Sequence, residues 1–416
     1  MPRPQSTTGG RLARTLVVIM AVATGVAVAN NYYAQPLLPV MRHDLHLSST
    51  VAGLIVTVAQ IGYALGLLLL LPLGDLIERR SLVVLLSLLA TGALLALGLA
   101  PNAGVLLAAA LAVGVVSVMA QVLVPYAASM AGDHERGRVV GMVMSGLLLG
   151  ILLARTVAGL VAQVGSWRVV YFAAAGAMAA QTVVLRAQLP RYREQTRLTY
   201  AGLLLSTFRL LIEEPVLRLR ALYGMLAFGT FSVLWTSVAF LLHDRYHEPP
   251  AVIGLFGLVG AAGAIAANVA GALSDRKFEH ATTGVTAALL ALSWIPIWLG
   301  SQQMWWLVVG IVALDIGVQG LHITNQGAIY RLRPEARSRL TSAYMVLYFI
   351  GGAVGSALSA ATWSAHRWAG VSVVGAAFGV AALVVWAAAA IRPLSDATPG
   401  YRTHTPGALV RKPNDR

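Results

Sequence analysis

Long apolar runs separated by short polar loops make up most of the chain. The core of a bilayer requires about 20 apolar residues per helix. Twelve runs are long enough: 15–40, 50–73, 81–100, 104–131, 139–164, 168–188, 221–243, 251–273, 281–300, 304–330, 339–362 and 369–391. The pattern therefore predicts an all-α integral membrane protein with twelve transmembrane helices, numbered here as spans 1 to 12.

A polar stretch in the middle of the chain divides these spans into two bundles of six. The predicted organisation is an N-terminal tail at 1–14, a first bundle at 15–188, a linker at 189–220, a second bundle at 221–391 and a C-terminal tail at 392–416. Within the linker, the segment LLLSTFRLLIEE is able to form an amphipathic helix on the membrane surface. Pro215 is expected to end that helix.

Composition excludes a soluble globule and several kinds of chemistry. Only 11% of the residues are charged and 58% are hydrophobic, whereas soluble domains carry about 25% charged residues. The absence of cysteine excludes disulfides and thiolate metal sites. Neither lysine, Lys277 or Lys412, follows the glycine pattern of a phosphate-binding loop. We therefore expect no cofactor, no metal and no ATP-driven transport by this chain alone.

Basic residues are distributed unevenly between the loops. The formal net charge is +14, which alone would also suit a nucleic-acid-binding protein. With the N-terminus inside, 25 basic residues fall on the inner side and 4 on the outer side, as the positive-inside rule requires. We expect both termini in the cytoplasm and no nucleic-acid partner. The excess of Ala, Arg and Gly suggests a bacterial genome, and hence the bacterial inner (plasma) membrane.

The two halves of the chain repeat each other. The loop PLGDLIERR after span 2 resembles GALSDRKFE after span 8, with Asp75 and Asp275 lying 200 residues apart. Arg136 and Arg337, which precede spans 5 and 11, are 201 apart. A duplicated six-helix unit is typical of secondary transporters, which bind substrate between the halves. The repeat also weakens an alternative in which span 1 is a signal peptide cleaved after Ala27–Ala29, because cleavage would leave one half unpaired.

Span 1 ends in an unusual cluster of polar residues and prolines. Pro36 and Pro39 follow Asn31, Tyr33 and Gln35 within YYAQPLLPV and its flank. Proline bends a helix and frees backbone carbonyl groups, which is tolerated in a membrane only next to protein or a water-filled cavity. We interpret this segment as the wall of a cavity, although the tyrosines would equally suit an aromatic belt at the membrane interface.

Small residues recur along span 5. Gly141, Gly150 and Gly159 stand at spacings that let helices pack at backbone contact. Ordinary helix packing in any membrane protein would also explain them, and Arg155 stands among them near the middle of the span.

Together these motifs resemble those of the major facilitator superfamily. The narrower resemblance is to its bacterial drug and sugar efflux branch of twelve-helix proton antiporters, the arabinose-efflux-permease-like group. Three motifs carry it: the loop residues Leu73, Asp75, Arg79 and Arg80 with their second copy Gly271, Leu273, Asp275 and Arg276, the span 5 glycines, and the two prolines of span 1. Arg155 stands where the family has a proline, and span 4 lacks the family's usual arginine, a role that Arg155 is a candidate to fill.

The resemblance implies a gate formed by these loops. In the family, the loop after span 2 closes the cytoplasmic face. The residues that correspond here are Asp75, Arg79, Arg80, Asp275 and Arg276, with Arg136 and Arg337 as the neighbouring basic groups. A simpler interpretation is that the two aspartates only cap the following helices.

Charged residues deep in a span are rare and usually functional. Arg155 lies near the middle of span 5 and Asp315 near the middle of span 10, where Gln319 and His322 follow at four and seven residues on the same helix face. These four residues, with Asn31, Tyr33 and Gln35, are the predicted substrate and proton pathway. The alternative is a structural hydrogen-bond network between helices.

The favoured function is proton-driven export of small drug- or sugar-like molecules by alternating access. The expected partners are a small-molecule substrate, the proton and the lipid bilayer, and we expect a monomer. An importer or facilitator of a small metabolite is the alternative within the same class. A membrane enzyme acting on lipids is the alternative of another class, but it requires a cluster of titratable groups that the sequence lacks.

The arginine distribution yields a topological prediction. A reporter enzyme that is active only in the periplasm, fused after Arg416, is expected to be silent in cells. The same reporter fused after Leu47, in a loop that the arginine count places outside, is the positive control. A strong signal from the Arg416 fusion would contradict the twelve-span topology.

Overall fold

The computed structural model describes residues 14–132, 134–193, 199–260, 279–333 and 336–391, and this part of the chain is helical. The first half contains Arg14–Ala29 and Ala34–Asp44 (span 1), Ser49–Leu69 (span 2), Arg79–Gly98 (span 3), Ala103–Ser117 and Met119–Met130 (span 4), Arg136–Val164 (span 5) and Trp167–Gln188 (span 6). A short 3₁₀ turn, Leu71–Asp75, follows span 2.

The second half follows a linker helix at Tyr200–Glu213. Its helices are Pro215–Asp244 (span 7), Pro250–Val259 (the described part of span 8), Glu279–Leu292 and Trp294–Leu299 (span 9), Met304–Tyr330 (span 10) and Arg337–Ile391. The last of these holds spans 11 and 12, because Arg367 interrupts it with φ 52° and ψ −144°. Ten described segments are long and apolar enough to cross a membrane. One of them, Arg337–Ile391, holds two spans, and the described part of span 8 is a shorter apolar helix. The predicted all-α, twelve-helix fold class is thus confirmed.

Span 7 begins earlier than predicted. The helix begins at Pro215 rather than near residue 221. Proline is well suited to the first position of a helix, where its missing N–H would have no partner anyway. Pro215 therefore both follows the linker helix, as expected, and begins the next helix.

The linker helix carries apolar side chains on two sides. Leu203 and Leu210 are buried against the bundle, while Leu205 and Ile212 are 69% and 75% exposed, as an amphipathic helix at a membrane surface requires. Its C-terminal end is charged: the Arg209 guanidinium donates a hydrogen bond to Glu213 and holds the pKa of that carboxyl below its usual range.

The cluster of prolines breaks span 1 into two helices. The first helix ends at Ala29 and the second begins at Ala34, with a turn at residues 30–33. The ring of Pro36 would clash with the carbonyl of the residue four positions earlier, Tyr32, and provides no N–H for it. The α-helical hydrogen-bond pattern is therefore interrupted one turn before the proline, where Asn31 and Tyr32 bond to carbonyls three residues earlier.

Glycine contacts hold span 5 against span 1. A Cβ on Gly150 would lie 2.6 Å from the Cα of Gly25, and a Cβ on Gly25 would lie 2.6 Å from the carbonyl oxygen of Gly146. Gly351 of span 11 packs against Met225 of span 7 in the same way, with a distance of 2.7 Å to its Cα. Gly150 and Gly351 are 201 residues apart, so the two halves use the same contact.

Of the other two span 5 glycines singled out in the sequence, one makes a comparable contact. A Cβ on Gly159 would lie 3.0 Å from the Cα of Gly254 in span 8. A Cβ on Gly141 would meet nothing within 4 Å among the described residues, and this glycine is exposed. Among the described residues Gly141 thus makes no close contact, and its packing role stays a prediction.

The two loops that follow spans 1 and 7 share an uncommon backbone conformation. His46 has φ 50° and His247 has φ 57°, and they are 201 residues apart. Non-glycine residues adopt positive φ in only a few per cent of cases. This coincidence is an independent, structural sign of the internal repeat.

The glycine contacts yield a stability prediction with a matched control. Gly150→Ala places a methyl group against the backbone of Gly25, and overpacking of this kind costs about 1–3 kcal/mol. Gly141→Ala gains the same helix propensity without that contact. We expect thermal unfolding of the purified protein to shift down by several degrees in Gly150→Ala and to stay unchanged or rise in Gly141→Ala. Equal melting temperatures in the two variants would contradict the close packing of spans 1 and 5.

Candidate functional site: charged residues between the two halves

Arg155 extends from span 5 of the first half to span 7 of the second. It is only 3% exposed. Its Nε donates a hydrogen bond to Oε1 of Gln35 at 2.5 Å. Its Cζ lies 3.9 Å from the ring centroid of Trp235, with Tyr32 at 5.0 Å and Phe231 at 5.6 Å. Aromatic faces attract a desolvated guanidinium by about 2 kcal/mol or more, so these rings partly replace water around the buried charge.

Asp315 extends from span 10 of the second half toward the same region. It is 4% exposed, and it interacts electrostatically with Arg155 and lies close to the indole of Trp235. Among the described residues the two charged groups do not form a direct salt bridge. Two opposite charges thus lie near Trp235, one from each half, without neutralising each other by contact.

Several buried polar atoms in this region lack a hydrogen-bond partner among the described residues. They are Nη2 of Arg155, Oδ1 of Asp315, Nε1 of Trp235 and both side-chain amide atoms of Asn30 and of Asn31. An unsatisfied buried polar atom costs about 1–3 kcal/mol, and such atoms are few in native proteins. Their concentration around Arg155 and span 1 is characteristic of a binding site.

His322 bonds to other residues than Asp315. Its Nδ1 lies 2.9 Å from the hydroxyl of Tyr344, its Nε2 lies 3.1 Å from Nε2 of Gln326, and its ring centroid lies 4.9 Å from that of Tyr348. Tyr348 also interacts electrostatically with Asp315, and Gln319, which stands between Asp315 and His322 in span 10, is half-buried. These contacts suit the alternative of a structural hydrogen-bond network, and the place of His322 in the substrate and proton pathway stays a prediction.

Aromatic rings connect the two polar regions. Stacked or neighbouring ring pairs are Phe231–Trp235 at 6.0 Å, Phe228–Phe231 at 5.5 Å, Phe228–Tyr348 at 4.1 Å, Phe228–Phe349 at 5.1 Å and Tyr63–Phe349 at 4.1 Å between centroids. The last pair joins span 2 to span 11, so the row of rings also crosses between the halves. Tyr33 is half-buried and interacts electrostatically with Tyr171 of span 6.

The loops at one end of the bundle, which we call the Asp244 face, form an ion pair between the two halves. Arg42, at the end of span 1, donates hydrogen bonds of 2.9 and 3.2 Å to the two carboxylate oxygens of Asp244, at the end of span 7. Nδ1 of His243 lies 2.9 Å from Asp244, and Arg367 lies 3.8 Å away. A guanidinium that donates two parallel hydrogen bonds to one carboxylate makes one of the stronger interactions between charged side chains. We call the Arg42–Asp244 pair the latch.

Spans 2 and 11 pack closely below the latch. The hydroxyls of Thr57 and Ser356 lie 2.8 Å apart, and those of Thr50 and Ser364 lie 2.6 Å apart. Farther from the Asp244 face the two helices border an apolar groove of about 400 Å³. The contacts between the halves near this face therefore close it.

The opposite end, which we call the Asp75 face, holds the predicted gate residues. Arg79 is 4% exposed and donates hydrogen bonds to Oδ1 of Asp75 at 3.3 Å, to the carbonyl of Gly74 at 3.0 Å, and to the carbonyl of Pro125 and the hydroxyl of Ser129, both at 3.2 Å. These bonds fix the loop to the end of span 4.

The remaining gate residues connect helix ends. Arg80 donates to the carbonyl of Leu189 at 3.1 Å. Arg136 and Arg337, at equivalent places of the repeat, donate through Nε to Ala128 at 3.2 Å and Tyr330 at 3.1 Å, the carbonyls at the ends of the preceding spans. Asp275 and Arg276 lie outside the described residues.

The sequence pattern missed several residues of the site. Trp235 and Phe231 lie beside Arg155, but an aromatic residue in an apolar run carries no signal that separates a binding wall from ordinary packing. The latch was also missed. A signal did exist, because Arg42 and Asp244 stand at the ends of equivalent spans, 202 residues apart, with opposite charges.

The architecture defines a class of protein: a polytopic membrane protein of two related halves with charged groups buried between them. Residues 20–294 match the Major Facilitator Superfamily, and the chain belongs to this family. The predicted family is thereby confirmed.

Relatives extend over nearly the whole chain. It is 50% identical over 376 residues to "Uncharacterized transporter YgaY" of Escherichia coli O157:H7, covering 90% of this chain and 95% of the relative. It is 36% identical over 386 residues to "Probable transporter SCO4007" of Streptomyces coelicolor, covering 92% and 89%. The protein is therefore a multi-pass membrane transporter and not an enzyme.

Solved structures share the fold. A bacterial homolog of the human lysosomal transporter Spinster, in an inward-facing conformation, superposes with a TM-score of 0.71 at 13% identity, covering 91% of this chain and 95% of the other. The nucleoside transporter NupG superposes with a TM-score of 0.70 at 12% identity, covering 90% and 99%. At these identities the likeness concerns the fold alone.

The latch yields a prediction about access from the Asp244 face. Because the chain has no cysteine, Ser356→Cys supplies a single thiol at a fully buried position between the halves. In nanodiscs we expect slow reaction of this thiol with a water-soluble maleimide. Adding Asp244→Asn should accelerate the reaction several-fold, because the latch no longer holds the halves together.

The matched control is Asp44→Asn. Asp44 pairs with Arg168 on the same face, but both residues belong to the first half, so the labelling rate should not change. Equal acceleration by both substitutions would mean that the latch has no special role.

Proposed function

We propose that this transporter exports small organic molecules in exchange for protons. Proton coupling requires a buried group that gains and loses a proton, and a carboxyl group among apolar helices is suited to this because desolvation disfavours its charged form. Asp315 is such a group. The observation that carries the proposal is its position beside Arg155, with one residue from each half and no direct salt bridge among the described residues.

The arrangement suggests how coupling operates. When the halves rock about the central site, the distance between Arg155 and Asp315 changes, because each belongs to a different half. Approach of the guanidinium stabilises the ionised carboxylate, and separation favours protonation. Protonation of Asp315 is thus tied to the conformation of the protein, which is the requirement for exchange.

The two faces are assigned by charge. The Asp75 face carries most of the basic loop residues and is placed in the cytoplasm by the positive-inside rule, in the inner membrane of a bacterium. The Asp244 face is then periplasmic, and the latch is its gate. The predicted gate of Asp75, Arg79 and Arg80 acts on the cytoplasmic side, with Asp275 and Arg276 as its second copy.

Import or facilitated diffusion of a small metabolite is the second candidate. Nothing in the arrangement of Arg155 and Asp315 sets a direction, because the direction of an exchanger follows the gradients. Export is favoured by the resemblance of the span 1 prolines and the span 5 glycines to efflux antiporters.

The proposal is tested by Asp315→Asn in proteoliposomes. For a substrate found by screening the native protein, we expect exchange of labelled for unlabelled substrate to persist. Accumulation driven by a pH gradient should be lost, because the amide of asparagine does not take up and release a proton in this range.

Asp44→Asn again serves as the control, since it removes an exposed carboxylate of the Asp244 face. Normal uphill accumulation by Asp315→Asn would show that another group couples transport to protons. Failure of the native protein to move protons with any substrate would refute the exchange mechanism altogether.

A further inference from the structure

We infer that the substrate is a zwitterion: a small molecule with an ammonium and a carboxylate group close together on an apolar or aromatic body. This inference rests on the proposed function and specifies which molecules the site between the halves accepts. It starts from the two unpartnered charged atoms of the site.

The anionic part of the ligand is assigned to Arg155. Nε of the guanidinium donates to Gln35 and three aromatic rings lie around Cζ, but Nη2 has no partner among the described residues. A guanidinium binds carboxylates with geometry that other cations do not match. The unpartnered Nη2 thus favours a carboxylate.

The cationic part is assigned to Asp315. Its Oδ1 is buried and has no partner among the described residues. An ammonium group provides three donors and a full opposite charge. A ligand with only this group would bring a second cation next to Arg155, and a ligand with only a carboxylate would bring a second anion next to Asp315. Each would leave one buried charge uncompensated, which is strongly unfavourable.

The two charged groups are neighbours that do not neutralise each other by contact. Arg155 and Asp315 interact electrostatically, yet they make no salt bridge within 4.0 Å among the described residues. A zwitterion can contact the guanidinium with its carboxylate and the carboxylate of Asp315 with its ammonium group. The unpartnered amides of Asn30 and Asn31 lie in the break of span 1, beside Tyr32 and Gln35, and offer further polar contacts.

The body of the ligand is assigned to the aromatic row. Trp235, Phe231 and Phe228 continue from the guanidinium into the second half. Aromatic walls with a few placed polar groups are typical of small-molecule sites. They favour a planar or branched apolar side chain over a sugar.

This arrangement also explains why substrate and proton would exchange. The ammonium group of the ligand and a proton would compete for the same carboxylate of Asp315. Protonation of Asp315 removes the charge that holds the ammonium and releases the ligand, and binding of the ligand displaces the proton. One substrate molecule would therefore exchange for one proton at this site.

Binding to the full-length protein in nanodiscs tests the inference with matched probes. Each of three sets shares one apolar body and differs in charge: phenylalanine, 2-phenylethylamine and 3-phenylpropanoate; tryptophan, tryptamine and indole-3-propanoate; leucine, 3-methylbutylamine and 4-methylpentanoate. We expect the zwitterion of at least one set to bind about tenfold or more tightly than both of its singly charged partners, because a polar site rejects analogues that leave its groups unpaired. If every set lacks this preference, or if no probe binds, the inference is wrong.

Two variants test which residue binds which charged group of the ligand. Arg155→Gln should remove the preference for the zwitterion over the amine and keep its preference over the acid, whereas Asp315→Asn should do the opposite. If either residue had only a structural role, its substitution would lower the affinity for all three probes of a set by a similar factor. Arg168 is a half-buried arginine of the Asp244 face that pairs with Asp44 within the first half. The control variant Arg168→Gln should leave all preferences unchanged.

Proton release, measured with a pH-sensitive dye inside proteoliposomes, separates the two proposals. Tight zwitterion binding without proton movement would leave the substrate class standing and refute the exchange mechanism. Proton movement driven only by amines or only by acids would support the exchange mechanism and overturn the substrate class.

Discussion

A buried arginine that is not neutralised by direct contact is the constraint on which the rest of this structure depends. Removing a guanidinium from water costs several kcal/mol even after relaxation. The protein offsets this cost with a hydrogen bond that Arg155 donates to Gln35, with three aromatic rings and with the charge of Asp315 across the interface. Because Trp235 and Asp315 belong to the second half, the stability of Arg155 depends on how the two halves are placed.

Under the proposed function, this dependence would make the interface responsive to ligands and protons. A carboxylate ligand, or a change in the charge of Asp315, would alter the energy of Arg155 and hence the relative stability of conformations that place the halves differently. In the proposed exchange, the latch at the Asp244 face and the close contacts of Thr57 with Ser356 would open in one of these conformations.

Equivalent positions of the two halves share backbone geometry and helix contacts, but some of them carry opposite charges. The glycine contacts of Gly150 and Gly351, the positive φ of His46 and His247 and the carbonyl bonds of Arg136 and Arg337 recur at the same offset. At the start of spans 3 and 9, however, Arg79 is matched 200 residues later by Glu279. Glu279 pairs with Arg220 and Arg331, so each half joins its helix ends by charge, with the signs reversed.

The sequence by itself determined the number of spans, the two halves, the family and the unusual charges Arg155 and Asp315, because length, hydropathy and a charge inside an apolar run are properties of the chain. It could not show that Gly150 packs against Gly25 whereas Gly141 meets no neighbour within 4 Å among the described residues, or that His322 bonds to Tyr344. Nor could it bring Trp235, Phe231 and Tyr32 around Arg155 or pair Arg42 with Asp244. Those relations join residues from different spans, and only the packing of one helix against another decides which side chains meet.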